Sequence, residues 1–166
     1  MKYIKLLFFS GVVLLLVLTG VTLLLPSHVR VSRAVNLNAG ADSVLNLVSD
    51  LSKWERWYPG FDTLELKAAV TENGRIVKAS VKNVQLQVTT DTDSLVTVEM
   101  KKGAQPVFNN WKLIRYAHSD SLTLQNYMDF DFKWYPWERF AGLLVDRSYG
   151  QLMEAGLKRL KEQMQE

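Results

Sequence analysis

Cysteine is absent from this 166-residue chain, and histidine occurs only twice. Without cysteine there is no lipid-modified cysteine anchor. A cysteine-free chain suits either side of a membrane, so redox chemistry does not assign a compartment. His28 and His118 have no metal-ligand partner at a useful spacing, so no metal site is expected. Also missing are the G-x-S-x-G elbow, the phosphate loop and the dinucleotide fingerprint, and nothing in the chain implies a cofactor. No clustered basic face offers itself to nucleic acid: Lys101-Lys102 and Lys158-Arg159-Lys161 are short, solvated runs. The net charge of +3 owes much to Lys2 and Lys5; past them, 18 basic side chains face 17 acidic ones.

The most conspicuous feature present is an apolar run. From Ile4 to Leu25 the chain reads IKLLFFSGVVLLLVLTGVTLLL, with Lys5 its sole charge. About 20 apolar residues cross the hydrocarbon core of a bilayer. A soluble core helix of that length would need apolar partners on every side. The alternative is a cleavable signal peptide. Against it, the run is longer than a normal signal core, and it ends in Leu23-Leu24-Leu25-Pro26 with no A-x-A-like site. The expectation is an N-terminal tail and single-pass anchor in residues 1–27, then a folded domain in residues 28–166. Lys2 and Lys5 nearly balance His28, Arg30 and Arg33 across the run. The short tail with two lysines favours N-inside, which places the domain on the periplasmic side of the inner membrane.

Past the run, Val29, Val31, Val35 and Leu37 alternate as in a half-buried strand, with Arg33 breaking the face. Asn38 to Asp42 turns the chain, and Val44, Leu45, Leu47, Val48 and Leu51 follow at helical spacing. Ser52 and Glu55 match a capping box for a second short helix carrying Trp54, Glu55, Arg56 and Trp57, ended by Pro59-Gly60. The period then becomes two. Leu64, Leu66, Ala68 and Val70 share a face, and Glu72-Asn73-Gly74 is a hairpin signal. Strands continue through Ile76–Val81, Val84–Val88 and Val96–Met100. After a loop at Gly103–Pro106 come Asn110–Tyr116 and Leu122–Trp134. From Pro136 to Gln163 runs one amphipathic helix, with Phe140, Leu143, Leu144, Leu152, Leu157, Leu160 and Met164 on its apolar stripe. This order is α+β: a bent antiparallel sheet gripping one long helix, with a cavity between them.

The order and two motifs resemble the START/Bet v 1-like (SRPBCC) superfamily, in its polyketide cyclase/dehydrase-type branch. The motifs are Asp50-x3-Trp54-x2-Trp57-x-Pro59 and Gly142-Leu143-Leu144-Val145-Asp146-x3-Gly150 followed by Gly156-Leu157-x2-Leu160-Lys161. The resemblance covers residues 29–163 and implies the helix-grip fold, in which two short helices form a V under the long one. Gly40 and Tyr58 depart from the pattern, the second at the expected cavity mouth.

In that fold Trp54 and Trp57, three apart on one helix face, plug the junction of V, sheet and long helix. Trp57, Tyr58 and Phe61 alternatively form an aromatic rim at a ligand entrance. Met128, Phe130, Phe132 and Trp134 share one strand face, so Asp129 and Asp131 point to solvent and are not a catalytic pair. Arg115 is a ligand handle if Trp111 and Leu113 face inward; the opposite parity is equally compatible. The remaining cavity candidates are Trp111, Met128, Phe130, Trp134, Phe140 and Leu144. Gly142, Gly150 and Gly156 each cost about 1 kcal/mol against alanine in a helix, offset by close packing or by room for a ligand. No catalytic constellation emerges. The residues favour a membrane-anchored domain that binds a hydrophobic small molecule or lipid. The alternatives are a cyclase- or dehydratase-like enzyme and an interaction module with a filled cavity.

Overall fold

The computed structural model of the chain describes residues 2–61, 65–103, 105–117 and 121–165. The apolar run forms helix α1 (Lys2–Leu23), exposed along nearly its whole length, with Thr22 its buried residue. Its length and composition suffice to cross a membrane.

Strand β1 (His28–Leu37) leads to α2 (Ala41–Ser49), a 3₁₀ turn (Leu51–Lys53) and α3 (Trp54–Trp57). Asp50 joins the two short helices. Its carboxylate accepts from the Ser52 amide (3.1 Å), the Ser52 hydroxyl (2.6 Å) and the Ile76 amide (3.2 Å). The Ser52–Glu55 capping box is therefore not formed: Ser52 spends its hydroxyl on Asp50, which caps the helical turn earlier.

Six strands follow: β2 (Lys67–Glu72), β3 (Arg75–Val81), β4 (Val84–Asp91), β5 (Leu95–Lys102), β6 (Gln105–Arg115) and β7 (Leu122–Asp131). They form one antiparallel sheet in the order β1-β7-β6-β5-β4-β3-β2. Asn73 and Gly74 turn β2 into β3 with φ of 50° and 78°, the backbone a two-residue hairpin requires. The last segment is α4 (Pro136–Val145), a π turn (Asp146–Gly150) and α5 (Gln151–Gln163), right-handed helix through both joints.

The register fixes one inward face. Val31 is opposite Met128, Val35 opposite Leu124, Trp111 opposite Asn126 and Val98 opposite Asn109. The main core lies between this face, α2, α3 and α5. A smaller core of Val31, Met128, Val145 and Met153 sits under the π turn. The helix glycines mark close approaches rather than room for a ligand. A Cβ on Gly142 would stand 3.1 Å from the Phe132 ring, one on Gly156 3.2 Å from Pro59 Cδ, and one on Gly150 would enter the Arg33 guanidinium. Arg33, the break in the β1 face, is clamped there by Glu154 (2.5 Å) and Asp146 (3.1 Å).

Four expectations change. β2 is an exposed edge strand; register shifts around Val70, with Ala68 at φ 51°, break the shared face expected of Leu66, Ala68 and Val70, and Leu64 lies outside the described residues. β6 begins at Gln105, pairing through the segment expected as a loop. β7 stops at Asp131, so Trp134 is not in the sheet. Phe140, Leu143 and Leu144 are exposed, because α4 turns Gly142 and Val145 to the sheet instead.

Candidate functional site

The stretch from Trp54 to Phe61 follows from α3 packing into the mouth of the sheet. Trp54 and Trp57 are fully buried, with ring centroids 5.4 Å apart. Trp111 of β6 meets Trp57 edge-on at 5.2 Å, and Tyr58 stacks on Trp54 at 4.6 Å. The Trp54 indole donates to the Val48 carbonyl at 2.9 Å, tying α3 to α2. These rings join the V to the sheet. Trp57 and Trp111 stand behind Tyr58, not in a ligand wall.

In front of them is a cavity of about 380 Å³ between β3–β5, β7 and the long helix. Tyr58, Phe61, Leu86, Met100, Met128, Tyr149 and Leu152 form its apolar walls, with Lys82 and Lys102 at the rim. Of the sequence candidates, the structure brings Tyr58, Phe61 and Met128 together here. Tyr149 was missed; the π turn aims it at the sheet, where its ring lies 4.8 Å from Phe130.

The polar equipment sits behind Tyr58. Asn109 of β6 donates to the Tyr58 hydroxyl at 3.4 Å, and Asn126 of β7 donates to the Asn109 side-chain oxygen Oδ1 and to the Asn110 backbone carbonyl (3.2 Å). Both asparagines are fully buried on the inward face. Among the described residues, the Asn126 side-chain oxygen and the indole N–H groups of Trp57 and Trp111 are buried without a partner. Burial pushes the Tyr58 phenol well above its ordinary value, so it stays a neutral donor. Sequence reasoning missed this pair, although Met128 and Trp111, inward on β7 and β6, each sit two residues from an asparagine of the same parity.

Other candidates lie elsewhere. Arg115 shares the parity of Trp111 and Leu113 but is exposed, past the end of the core, and donates to the Asp93 carbonyl at 2.8 Å. It does not reach the cavity. Phe130 lines a separate groove of about 640 Å³ with Val107, Phe132 and Ala141 of α4. Trp134, Phe140 and Leu144 are exposed away from the cavity. Asp129 and Asp131 face outward and pair across to β1: Arg30 donates to Asp129 at 2.6 Å and His28 meets Asp131 at 2.8 Å. The Arg30 hydrogen bond holds the Asp129 carboxyl low, and the Asp131 hydrogen bond raises His28. His118 lies outside the described residues. Among the described residues no group of three or more acidic or imidazole side chains is placed to hold a metal ion.

No curated protein matches the chain. Among solved structures, a START superfamily protein from Mycobacterium smegmatis superposes with a TM-score of 0.59 at 20% identity, over 82% of this chain and 97% of its own. The di-domain ARO/CYC StfQ from the steffimycin biosynthetic pathway gives 0.58 at 10% identity, over 83% of this chain and 51% of its own. CalU16 from Micromonospora echinospora gives 0.52 at 12% identity, over 83% and 87%. These likenesses carry the helix-grip fold. Residues 28–165 match the family described as polyketide cyclase / dehydrase and lipid transport, and the chain belongs to that family.

Proposed function

We propose that this domain binds a hydrophobic small molecule or lipid between the sheet and the long helix, held beside a bilayer by α1. The observation that carries the reading is the apolar cavity of about 380 Å³ with buried Tyr58 in its wall. That volume is within the range of small-molecule sites. Burial of apolar ligand surface supplies the affinity, about 25 cal/mol per Å². Asn109 takes up the Tyr58 oxygen as acceptor, so the phenolic proton is available to a ligand oxygen. Lys82 and Lys102 at the rim suit a ligand with an anionic or polar head. Catalysis by an acid–base pair is a weaker reading, since among the described residues those lining the cavity include no carboxylate and no imidazole.

The apolar, exposed α1 supports a single-pass anchor. Lys2 and Lys5 at its start support a domain on the periplasmic side of the inner membrane. The test of binding uses the full chain in detergent and an apolar fluorescent probe, with Leu152→Trp filling the cavity. The reading predicts saturable one-to-one uptake that falls at least tenfold in the variant while the folded state persists. Equal uptake by both proteins would place the probe elsewhere and overturn it.

A further inference from the structure

Three sequence candidates, Trp134, Phe140 and Leu144, miss the cavity yet lie together on one face of the protein. Helix α4 has two apolar sides. One carries Gly142 and Val145 and packs on the sheet. The other carries Trp137, Phe140 and Leu144 at i, i+3 and i+7, with Leu143 beside them. Trp137 is 67% and Leu144 62% exposed. A solvated outer helix face ordinarily carries charge. Here both charged residues of α4 are turned to backbone instead: Glu138 accepts from the Lys133 amide at 2.7 Å, and Arg139 donates to the carbonyls of Lys133 (2.9 Å) and Leu25 (2.8 Å). The stripe continues into Trp134 and Tyr135, whose rings lie 4.7 Å apart, and Tyr135 stacks on Trp137 at 5.0 Å.

The location of this face identifies its occupant. Arg139 holds Leu25, two residues past the end of α1, and the Phe132 amide holds the Ser27 carbonyl at 2.8 Å. Helix α4 also packs against α1. The uncharged stripe therefore stands beside the end of the apolar helix, at the level where a spanning helix leaves the hydrocarbon. Trp and Tyr concentrate at that level because their rings are apolar and their N–H or O–H groups reach water. We infer that α4, with Trp134 and Tyr135, lies in the headgroup–acyl boundary of the bilayer that α1 enters, as an interfacial helix. The inference rests on the reading of α1 as an anchor. It would fix the domain against the membrane, with the groove between α4 and β6–β7 close to the lipid surface.

The test exploits the absence of native cysteine. The full chain is reconstituted in phosphatidylcholine vesicles as three single-cysteine variants, Leu144→Cys on α4, Leu14→Cys on α1 and Lys158→Cys on the exposed side of α5, each carrying an environment-sensitive fluorophore. Lipids carrying a nitroxide near the headgroup or deep in the acyl chain are the quenchers, the first read at 144 and 158 and the second at 14. The inference expects blue-shifted emission at positions 14 and 144, with quenching at 144 at least twofold stronger than at 158. Quenching at 14 without quenching at 144 overturns the α4 assignment alone and leaves the anchor intact. No lipid quenching at either position overturns both. A label at 144 that is blue-shifted but untouched by lipid nitroxide points to a second copy or a partner protein on this face, and also overturns the assignment.

Discussion

Replacing Asn109 and Asn126 by leucine, singly and together, separates a structural from a binding role for the buried amides. Both are fully buried. Asn109→Leu removes the acceptor of one Asn126 N–H and the donor to Tyr58; Asn126→Leu leaves the Asn109 side-chain oxygen without its donor. Each single variant should lose about 1–3 kcal/mol, the cost of stranding a buried polar group. The double variant strands no amide, and it removes the Asn126 oxygen that already lacks a protein partner. The Tyr58 hydroxyl and the Asn110 backbone carbonyl each lose one contact. The cost of the double change should be about 0–1 kcal/mol, so the two changes couple by roughly 2 kcal/mol or more. Buried Trp54, Trp57 and Trp111 report the transition by fluorescence in thermal unfolding of the full chain in detergent. For a domain of this size, about 1 kcal/mol moves the midpoint by roughly 4 °C. The singles should melt about 4–12 °C below the parent and the double within roughly 4 °C of it. The double should also retain an oxygen-bearing ligand roughly tenfold less well, about 1.4 kcal/mol, because Tyr58 loses the group that orients it. Additive losses of stability, or unchanged retention, would refute the reasoning.

Trp54→Ala should cost about 3–5 kcal/mol in denaturant unfolding, whereas exposed Trp134→Ala should stay within about 0.5 kcal/mol. Gly156→Val should cost about 1–3 kcal/mol in the same assay, since its Cβ would press on Pro59. His28 should titrate above 6.5 by NMR, and Asp131→Asn should bring it back down. Because the folded state raises that pKa, its contribution to stability is present below about pH 6.5 and fades as pH rises through the folded value. A His28 titration unmoved by Asp131→Asn would remove the assigned cause.

The sheet was largely legible because period-two patterns survive in single strands: β1, β3–β5 and β7 follow their alternation, and Asn73-Gly74 turns where expected. The Trp54–Trp57 plug was legible because two large rings three apart need a common apolar seat. Periodicity failed where the covering matters more than the pattern. Phe140 and Leu144 form a true helical stripe, but spacing alone cannot tell a sheet from any other apolar neighbour, and Gly142 took the place against Phe132. Arg115 has inward parity, yet parity does not say where the core ends. Asn109 and Asn126 read as ordinary polar strand residues; only the register beside Trp111 and Met128 shows them buried. Tyr149 depends on a π turn, a single wide turn with no simple sequence period.

Native mass spectrometry of the full chain, released from bacterial membranes in mild detergent, tests the binding claim most directly. The account predicts one retained apolar molecule per chain, recoverable by solvent extraction and absent from Leu152→Trp. A bare chain that also takes up no apolar probe would contradict it.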